Sequence, residues 1–306
     1  MKVLVATEKP FAKVAIDGIK AVLDETGYEM VLLERYTDKK QLLDAVADAN
    51  AIIIRSDIID EEVISAAKNL KIVVRAGAGF DNVDLEAATK AGVCVMNTPG
   101  QNANAVAELA LGLMVYGIRN FYNGTSGTEL MGKKLGIHAY GNVGRNVARV
   151  AKGFGMDIYA FDAYCPAEVI EKDGVKALKS AEELYSTCQF ISLHIPATAE
   201  TKNSINNSLL SRMPKGALLL NTARKEVINE AELIKTMEER PDFRYITDII
   251  PAANEEFAAK FPGRYFCTPK KMGAQTAEAN INAGIAAANQ IVGFLKDGNE
   301  KFRVNK

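Results

Sequence analysis

Between Lys134 and Gly144 the chain reads Lys-Leu-Gly-Ile-His-Ala-Tyr-Gly-Asn-Val-Gly, an apolar run that turns sharply at small residues and enters a segment carrying Val147, Val150, Ala151 and Phe154 at helical spacing. A second apolar run, Asp157-Ile-Tyr-Ala-Phe, returns and ends in Asp162. Strand, glycine loop, helix and acid-tipped strand, in that order, form the unit that binds a dinucleotide. A pyrophosphate reaches the N–H groups of a helix N-terminus only where no side chain blocks it. Gly141 must therefore stay bare, with Asn142 and Val143 offering their amides behind it, and Gly144 must let the helix pack close to the strand. Ala139 stands where the first glycine of the pattern usually stands, and an alanine there is expected to keep an ordinary φ. Asp162 is suited to accept hydrogen bonds from the adenosine ribose hydroxyls and to repel a 2′-phosphate, so NAD is expected rather than NADP. Arg145 lies close by and softens that discrimination.

The elements needed to position this loop recur along the whole chain. Lys2 to Thr7, Glu29 to Leu33, Ala51 to Arg55, Lys71 to Arg75 and Val93 to Met96 read as short buried strands before the loop; Phe190 to His194, Ala217 to Asn221 and Tyr245 to Ile250 repeat the rhythm after it. Helical stretches are expected at Lys39 to Val46, Asp60 to Ala67, Ala103 to Ile118, Glu200 to Ser211, Asn229 to Glu238 and Ala277 to Leu295. Such alternation predicts an α/β protein with two doubly wound parallel sheets, one Rossmann-like and one flavodoxin-like. Asn97-Thr-Pro-Gly100 reads as the crossing between them. Residues 1–97 with about 277–306 are expected to form one domain, and 98–276 the dinucleotide-binding domain.

Composition narrows the partners. The 306 residues are 48% apolar and 25% charged, with a net charge of -1, which offers no general basic surface for nucleic acid or membrane. The four cysteines lie far apart without a CxxC pair, so neither a disulfide framework nor a metal site is suggested, and reduced thiols in a cytoplasm are expected. The first residues turn polar too soon for a signal peptide, and no apolar run has membrane-spanning length.

Several further segments together carry a resemblance. They are Ile54-Arg-Ser56, Arg75-Ala-Gly-Ala-Gly-Phe-Asp-Asn-Val-Asp84, Asn97-Thr-Pro-Gly-Gln-Asn102 with Val106-Ala-Glu108, Gly132-Lys-Lys-Leu-Gly136, Ser192-Leu-His-Ile-Pro196 and Asn221-Thr-Ala-Arg224. Over nearly its whole length the chain resembles the D-2-hydroxyacid dehydrogenases, and within them is most similar to the 3-phosphoglycerate dehydrogenase branch.

The resemblance gives these segments roles that their chemistry can fill. The small residues Gly77, Ala78 and Gly79 after a buried strand leave backbone N–H groups open to cradle a carboxylate. Arg55, Ser56 and Arg75 suit phosphate oxygens through bidentate hydrogen bonds, although an arginine at a strand end is commonly just a solvated side chain. Asn102 joins this substrate set. His194 and Pro196 form a wall of the cofactor pocket, joined by Thr222, Ala223, Gly273 and Ala274. Arg224 falls at the family's substrate arginine, a cation able to fork onto the carboxylate and carbonyl of a 2-keto acid. Asp248 falls where the family's aspartate holds the nicotinamide amide.

Here the family's pattern breaks. Its members carry a glutamate shortly after that aspartate and a histidine just after a Thr-Pro, a proton donor with its orienter. This chain has Ile249-Ile-Pro-Ala-Ala253 and Thr268-Pro-Lys-Lys-Met-Gly-Ala274 instead, with Glu255 and Glu256 arriving later. Counting back from Gly273 puts Lys271 in the histidine's place; counting forward from Pro269 puts Lys270 there. Lys271 is the preferred donor because the following helix fixes the geometry.

The resemblance implies NAD-dependent oxidation of 3-phosphoglycerate to 3-phosphohydroxypyruvate, or the reverse, on the way to serine, with a small phosphorylated 2-hydroxy acid as partner and a homodimer as assembly. A glyoxylate or hydroxypyruvate reductase is the alternative within the family. An NAD-sensing binding protein with weakened catalysis is the alternative outside it. The chain stops soon after the last helix, so the regulatory domains of longer relatives are not expected.

Overall fold

The computed structural model describes residues 1–305 as two α/β units, Met1–Asn102 with the segment from Gln275 onward, and Ala103–Ala274. The first unit holds a five-stranded parallel sheet of β1 (Lys2–Thr7), β2 (Glu29–Glu34), β3 (Ala51–Ile54), β4 (Ile72–Arg75) and β5 (Cys94–Asn97), in the order β2-β1-β3-β4-β5. This is the flavodoxin-like order, with its switch point between β1 and β3. β3 is buried at every residue and β4 at its three apolar residues, because helices cover both faces. Nearly continuous Val and Ile runs are the sequence form of that burial.

The second unit holds β6 (Lys134–His138), β7 (Asp157–Phe161), β8 (Lys176–Ala177), β9 (Phe190–Leu193), β10 (Leu218–Asn221), β11 (Arg244–Thr247) and β12 (Tyr265–Cys267), all parallel in the order β12-β11-β10-β9-β6-β7-β8. Counted within the unit this is 3-2-1-4-5-6 with one further strand, the Rossmann arrangement, and its switch point lies between β6 and β9. Strands β8 and β12, of two and three residues, are too short for the pattern of apolar residues to have marked them.

Two expected elements are shorter than their sequence predicts. Glu200 to Ser211 is not one helix: Thr198 and Thr201 exchange side-chain and backbone hydrogen bonds, Asn203 takes a left-handed φ of 55°, and only Asn207–Leu210 is helical, capped by Asn206. Short hydroxyl and amide side chains there compete with the helical backbone. The strand expected from Tyr245 to Ile250 stops at Thr247, whose Oγ1 accepts the Ile249 N–H at 3.0 Å and turns the chain out of the sheet. Asp248 thus lies just beyond the strand.

Candidate active site

The glycine loop leaves β6 at the switch point. Gly141 N-caps the helix Asn142–Gly153, no side chain caps it, and a Cβ at Gly141 would meet nothing within 4 Å. The first-turn amides of Asn142, Val143 and Gly144 therefore face a space that a diphosphate could fill. Gly144 has the opposite reason for lacking a side chain: a Cβ there would stand 2.4 Å from the carbonyl oxygen of Ala139. Ala139 itself overturns the expectation of an ordinary φ. It sits at φ 80°, held by its N–H on the Phe161 carbonyl at 2.8 Å, so the turn keeps a glycine-like shape with an alanine in it. The left-handed region costs an alanine roughly 1–2 kcal/mol.

Asp162, just past β7, ties this loop to the neighbouring strand. Its Oδ2 accepts the Tyr140 N–H at 2.6 Å and its Oδ1 the N–H groups of Tyr164 and Cys165 at 2.7 and 2.9 Å. Those bonds fix the carboxylate's orientation while Oδ2, with a single bond, keeps acceptor capacity for a ribose hydroxyl. Arg145 does not reach toward that carboxylate. Its guanidinium lies over the Tyr140 ring at 5.5 Å and 3.6 Å from Asp173.

Beyond β9, His194 donates its backbone N–H to the His138 carbonyl at 2.9 Å, and its Nε2 lies 2.9 Å from Ser192 Oγ. Burial pushes His194 down to about 3 and His138, beside the Tyr185 hydroxyl, to about 4. These are the chain's only two histidines, and both stay neutral. Pro196 accepts the Thr201 hydroxyl at 2.5 Å, closing the loop after the strand.

The far edge of the sheet gathers the remaining groups beyond three adjacent strands. Asn221, the last residue of β10, is fully buried and accepts the Ala223 N–H at 2.9 Å while donating to the Arg224 carbonyl at 2.9 Å, so one side chain moulds the Thr222-Ala223-Arg224 turn. The sequence marks this role of Asn221 only as a lone amide closing an all-leucine strand. Arg224 Nη1 donates to the Ala223 carbonyl at 2.8 Å. After β11, Asp248 is fully buried and its Oδ2 accepts the N–H groups of Met272 and Gly273 at 3.1 and 2.7 Å. Burial raises its pKa above the usual carboxylate range, opposed by the Gly273 N–H and the charge of Lys271. A Cβ at Gly273 would stand 3.0 Å from Asp248 Oδ2, so only glycine fits without movement, and the half-buried Ala274 follows. Lys270 and Lys271 are exposed on this tethered loop, and the Lys270 carbonyl accepts the Thr268 hydroxyl at 2.7 Å.

Two buried polar atoms on this edge have no partner among the described residues, Asp248 Oδ1 and Thr222 Oγ1. An acceptor and a hydroxyl left bare inside a protein are costly unless something else meets them. An amide-bearing ring at the end of an extended dinucleotide would do so. From β7 to β11 the edge spans four strand spacings, roughly 19 Å. The residues present therefore fit a dinucleotide along its full length.

No carboxylate follows Asp248 at the spacing that would orient a histidine. Glu256 pairs with Lys260 at 2.8 Å on its own helix. The acid that organises this segment is Glu230, whose two oxygens accept the Ala252 and Ala253 N–H groups at 3.0 and 2.8 Å; no motif marked it.

In the first unit, the anticipated substrate residues follow β3, β4 and β5. Arg75 Nε donates to the Arg55 carbonyl at 2.9 Å, which brings the two arginines together, and a Cβ at Gly77 would collide with the Arg75 guanidinium. Arg55 is already bonded to the Lys9 and Pro10 carbonyls at 3.0 and 3.2 Å and to Asn280 Oδ1 at 2.7 Å, so much of its fork is structural. Ser56 is exposed beside it. The expected cradle is narrower than its sequence suggested. Gly77 donates to the Arg75 carbonyl at 2.9 Å, leaving the amides of Ala78 and Gly79 without a partner among the described residues. Asn97 Nδ2 holds the Ala78 carbonyl at 2.6 Å, and Asn102 ends the unit.

Comparison with known proteins accords with this layout. Residues 114–262 match the family described as D-isomer specific 2-hydroxyacid dehydrogenase, NAD binding domain. A D-3-phosphoglycerate dehydrogenase of Methanocaldococcus jannaschii is 36% identical over 298 residues, covering 92% of this chain and 56% of that relative, so the chain spans little more than half its length. A hydroxypyruvate reductase of Thermotoga maritima is 33% identical over 281 residues, 86% of this chain and 90% of that protein. Among solved structures, an NAD+-bound 3-phosphoglycerate dehydrogenase of Entamoeba histolytica is 48% identical, with a TM-score of 0.88 over 100% of this chain and 99% of that one. The chain belongs to the D-isomer specific 2-hydroxyacid dehydrogenases. Its second unit is the family's NAD-binding domain. Among the described residues, no helix is long and apolar enough to cross a membrane.

Proposed function

We propose that the chain is an NAD-dependent dehydrogenase that interconverts 3-phosphoglycerate and 3-phosphohydroxypyruvate, a reaction that would feed serine synthesis, and that it works as a homodimer. The observation that carries the dehydrogenase reading is the edge formed beyond the adjacent strands β10, β11 and β12, where Arg224, then Asp248 with its partnerless Oδ1, then the Lys270–Lys271 loop that Asp248 tethers follow one strand each. The relatives' substrates support the phosphorylated acid.

In this reading the first unit binds substrate and the second binds cofactor. NAD supplies the hydride acceptor, or NADH the donor, at the substrate's C2. Arg224, set by the Asn221 turn, forks onto the substrate carboxylate and the C2 oxygen. Lys271 gives a proton to the carbonyl oxygen in reduction and takes it from the hydroxyl in oxidation, the part that neither neutral histidine can play from beside β6 and β9. Asp248 holds the lysine loop and leaves Oδ1 for the ring amide. Within the first unit, Arg75, with what Arg55 has to spare, suits a phosphate.

The test compares kcat/KM for phosphohydroxypyruvate and glyoxylate with NADH, in wild type and in Arg75→Ala. The phosphorylated substrate is expected to be preferred, and Arg75→Ala to raise its KM far more than glyoxylate's. Arg55→Ala is expected to act similarly but also to lower the melting temperature, because it releases the Lys9–Pro10 loop. A preference for glyoxylate would favour the hydroxypyruvate reductase reading, which the Thermotoga relative supports. NADH binding without turnover of either substrate would favour the sensor.

A further inference from the structure

Arg145 stands against both residues that flank the ribose-binding carboxylate, yet it is turned away from it. Tyr140 and Cys165 each donate a backbone N–H to Asp162, at 2.6 and 2.9 Å. The Arg145 guanidinium lies over the Tyr140 ring at 5.5 Å and 3.9 Å from Cys165 Sγ. What holds it there is Asp173, 3.6 Å away in the turn after the helix Ala167–Lys172. Asp173 is itself fixed: its Oδ2 accepts the Tyr140 hydroxyl at 3.1 Å, and its carbonyl accepts the ammonium of Lys152. Tyr140 is 1% exposed, so the ring that Arg145 covers cannot swing aside.

A dinucleotide domain chooses between its two cofactors by which charge meets the adenosine ribose: an acid for the free hydroxyl, an arginine for the 2′-phosphate. This chain carries both, one residue removed from each other through Tyr140 and through Cys165. We propose that Asp173 is a specificity-determining residue: by pairing with Arg145 it withholds a nearby cation that could meet a 2′-phosphate, leaving Asp162 to set the preference for NAD. Removing the Asp173 charge frees a flexible guanidinium beside the residues that bond Asp162. The choice of cofactor is then made by a pair of charges behind the loop as well as by the acid in it. The inference rests on the NAD-binding domain and not on the substrate reading, so dinucleotide binding measured without substrate tests it separately.

Affinities for NADH and NADPH are measured by fluorescence titration, with thermal midpoints recorded for every variant. In Asp173→Asn, which keeps an acceptor for the Tyr140 hydroxyl, NADPH is expected to bind about tenfold more tightly while NADH changes by less than about threefold. Adding Arg145→Ala should abolish the gain. In the wild-type background Arg145→Ala should leave NADPH affinity nearly unchanged, because the side chain is already withheld, and this arm does not depend on how Asp173→Asn folds. The proposal is overturned by a well-folded Asp173→Asn with unaltered NADPH affinity, by a gain that persists without Arg145, or by a large loss of NADPH affinity in Arg145→Ala alone.

Discussion

Asp248 and Gly273 meet at 2.7 Å, carboxylate oxygen to backbone N–H, across 25 residues of chain. That bond, with its neighbour from Met272, fastens the lysine loop to the end of β11. Asp248→Ala would leave two N–H groups unpaired in a buried place, each costing about 1–3 kcal/mol. The expected outcome is a lowered melting temperature together with weaker NADH binding, because Oδ1 is lost as well. A variant with wild-type stability would show that the loop holds itself.

The left-handed φ of 80° at Ala139 predicts a stabilising substitution at a binding loop. Glycine removes a strain of roughly 1–2 kcal/mol and adds about 0.5–1 kcal/mol of unfolded-state entropy, so Ala139→Gly should gain up to about 1.5 kcal/mol. Differential scanning calorimetry should read this as a rise of a few degrees or less. A fall in the midpoint would mean that the alanine methyl is making contacts worth more than the strain.

Both histidines predict an acid-sensitive fold. His138 has an ordinary value of 6.5 and is pushed down to about 4 by burial. Above pH 6.5 its imidazole is neutral folded or unfolded, and its contribution is complete; as pH falls toward 4 the unfolded chain takes up a proton that the native one refuses, and stability is lost. The slope approaches about 1.4 kcal/mol per pH unit for each such histidine. Urea unfolding at pH 7 and pH 5 should show this loss, and His138→Gln should reduce it. An unchanged slope in the variant would place the titration elsewhere.

Much of this was legible in the sequence where one local rule governs. The glycine loop and the acid ending β7 are local, and so is the buried run of Val, Ile and Leu that marks each parallel strand. Ala103–Ile118 and Lys39–Val46 lie where their apolar spacing placed them. What escaped depends on partners distant in sequence. Nothing near Glu230 announces that its carboxylate will hold residues 252 and 253, and nothing near Asp173 announces Arg145. The helix expected from Glu200 failed because threonine hydroxyls outbid the backbone, and Ala139 kept a glycine-like turn because neighbouring strands impose it. The resemblance, and not its place at a strand end, makes Arg55 a ligand group, yet three protein oxygens already hold it.

With no histidine in the family's position, the proposed chemistry turns on Lys271. NADH oxidation driven by phosphohydroxypyruvate, in wild type, Lys271→Ala and Lys270→Ala, tests it most directly, with NADH affinity measured alongside. The account predicts wild-type turnover, a loss of about 10²–10⁴ in kcat for Lys271→Ala with NADH binding nearly intact, and a much milder effect for Lys270→Ala. Wild-type protein that binds NADH but turns over no 2-keto acid, or a Lys271→Ala variant as fast as wild type, would contradict it.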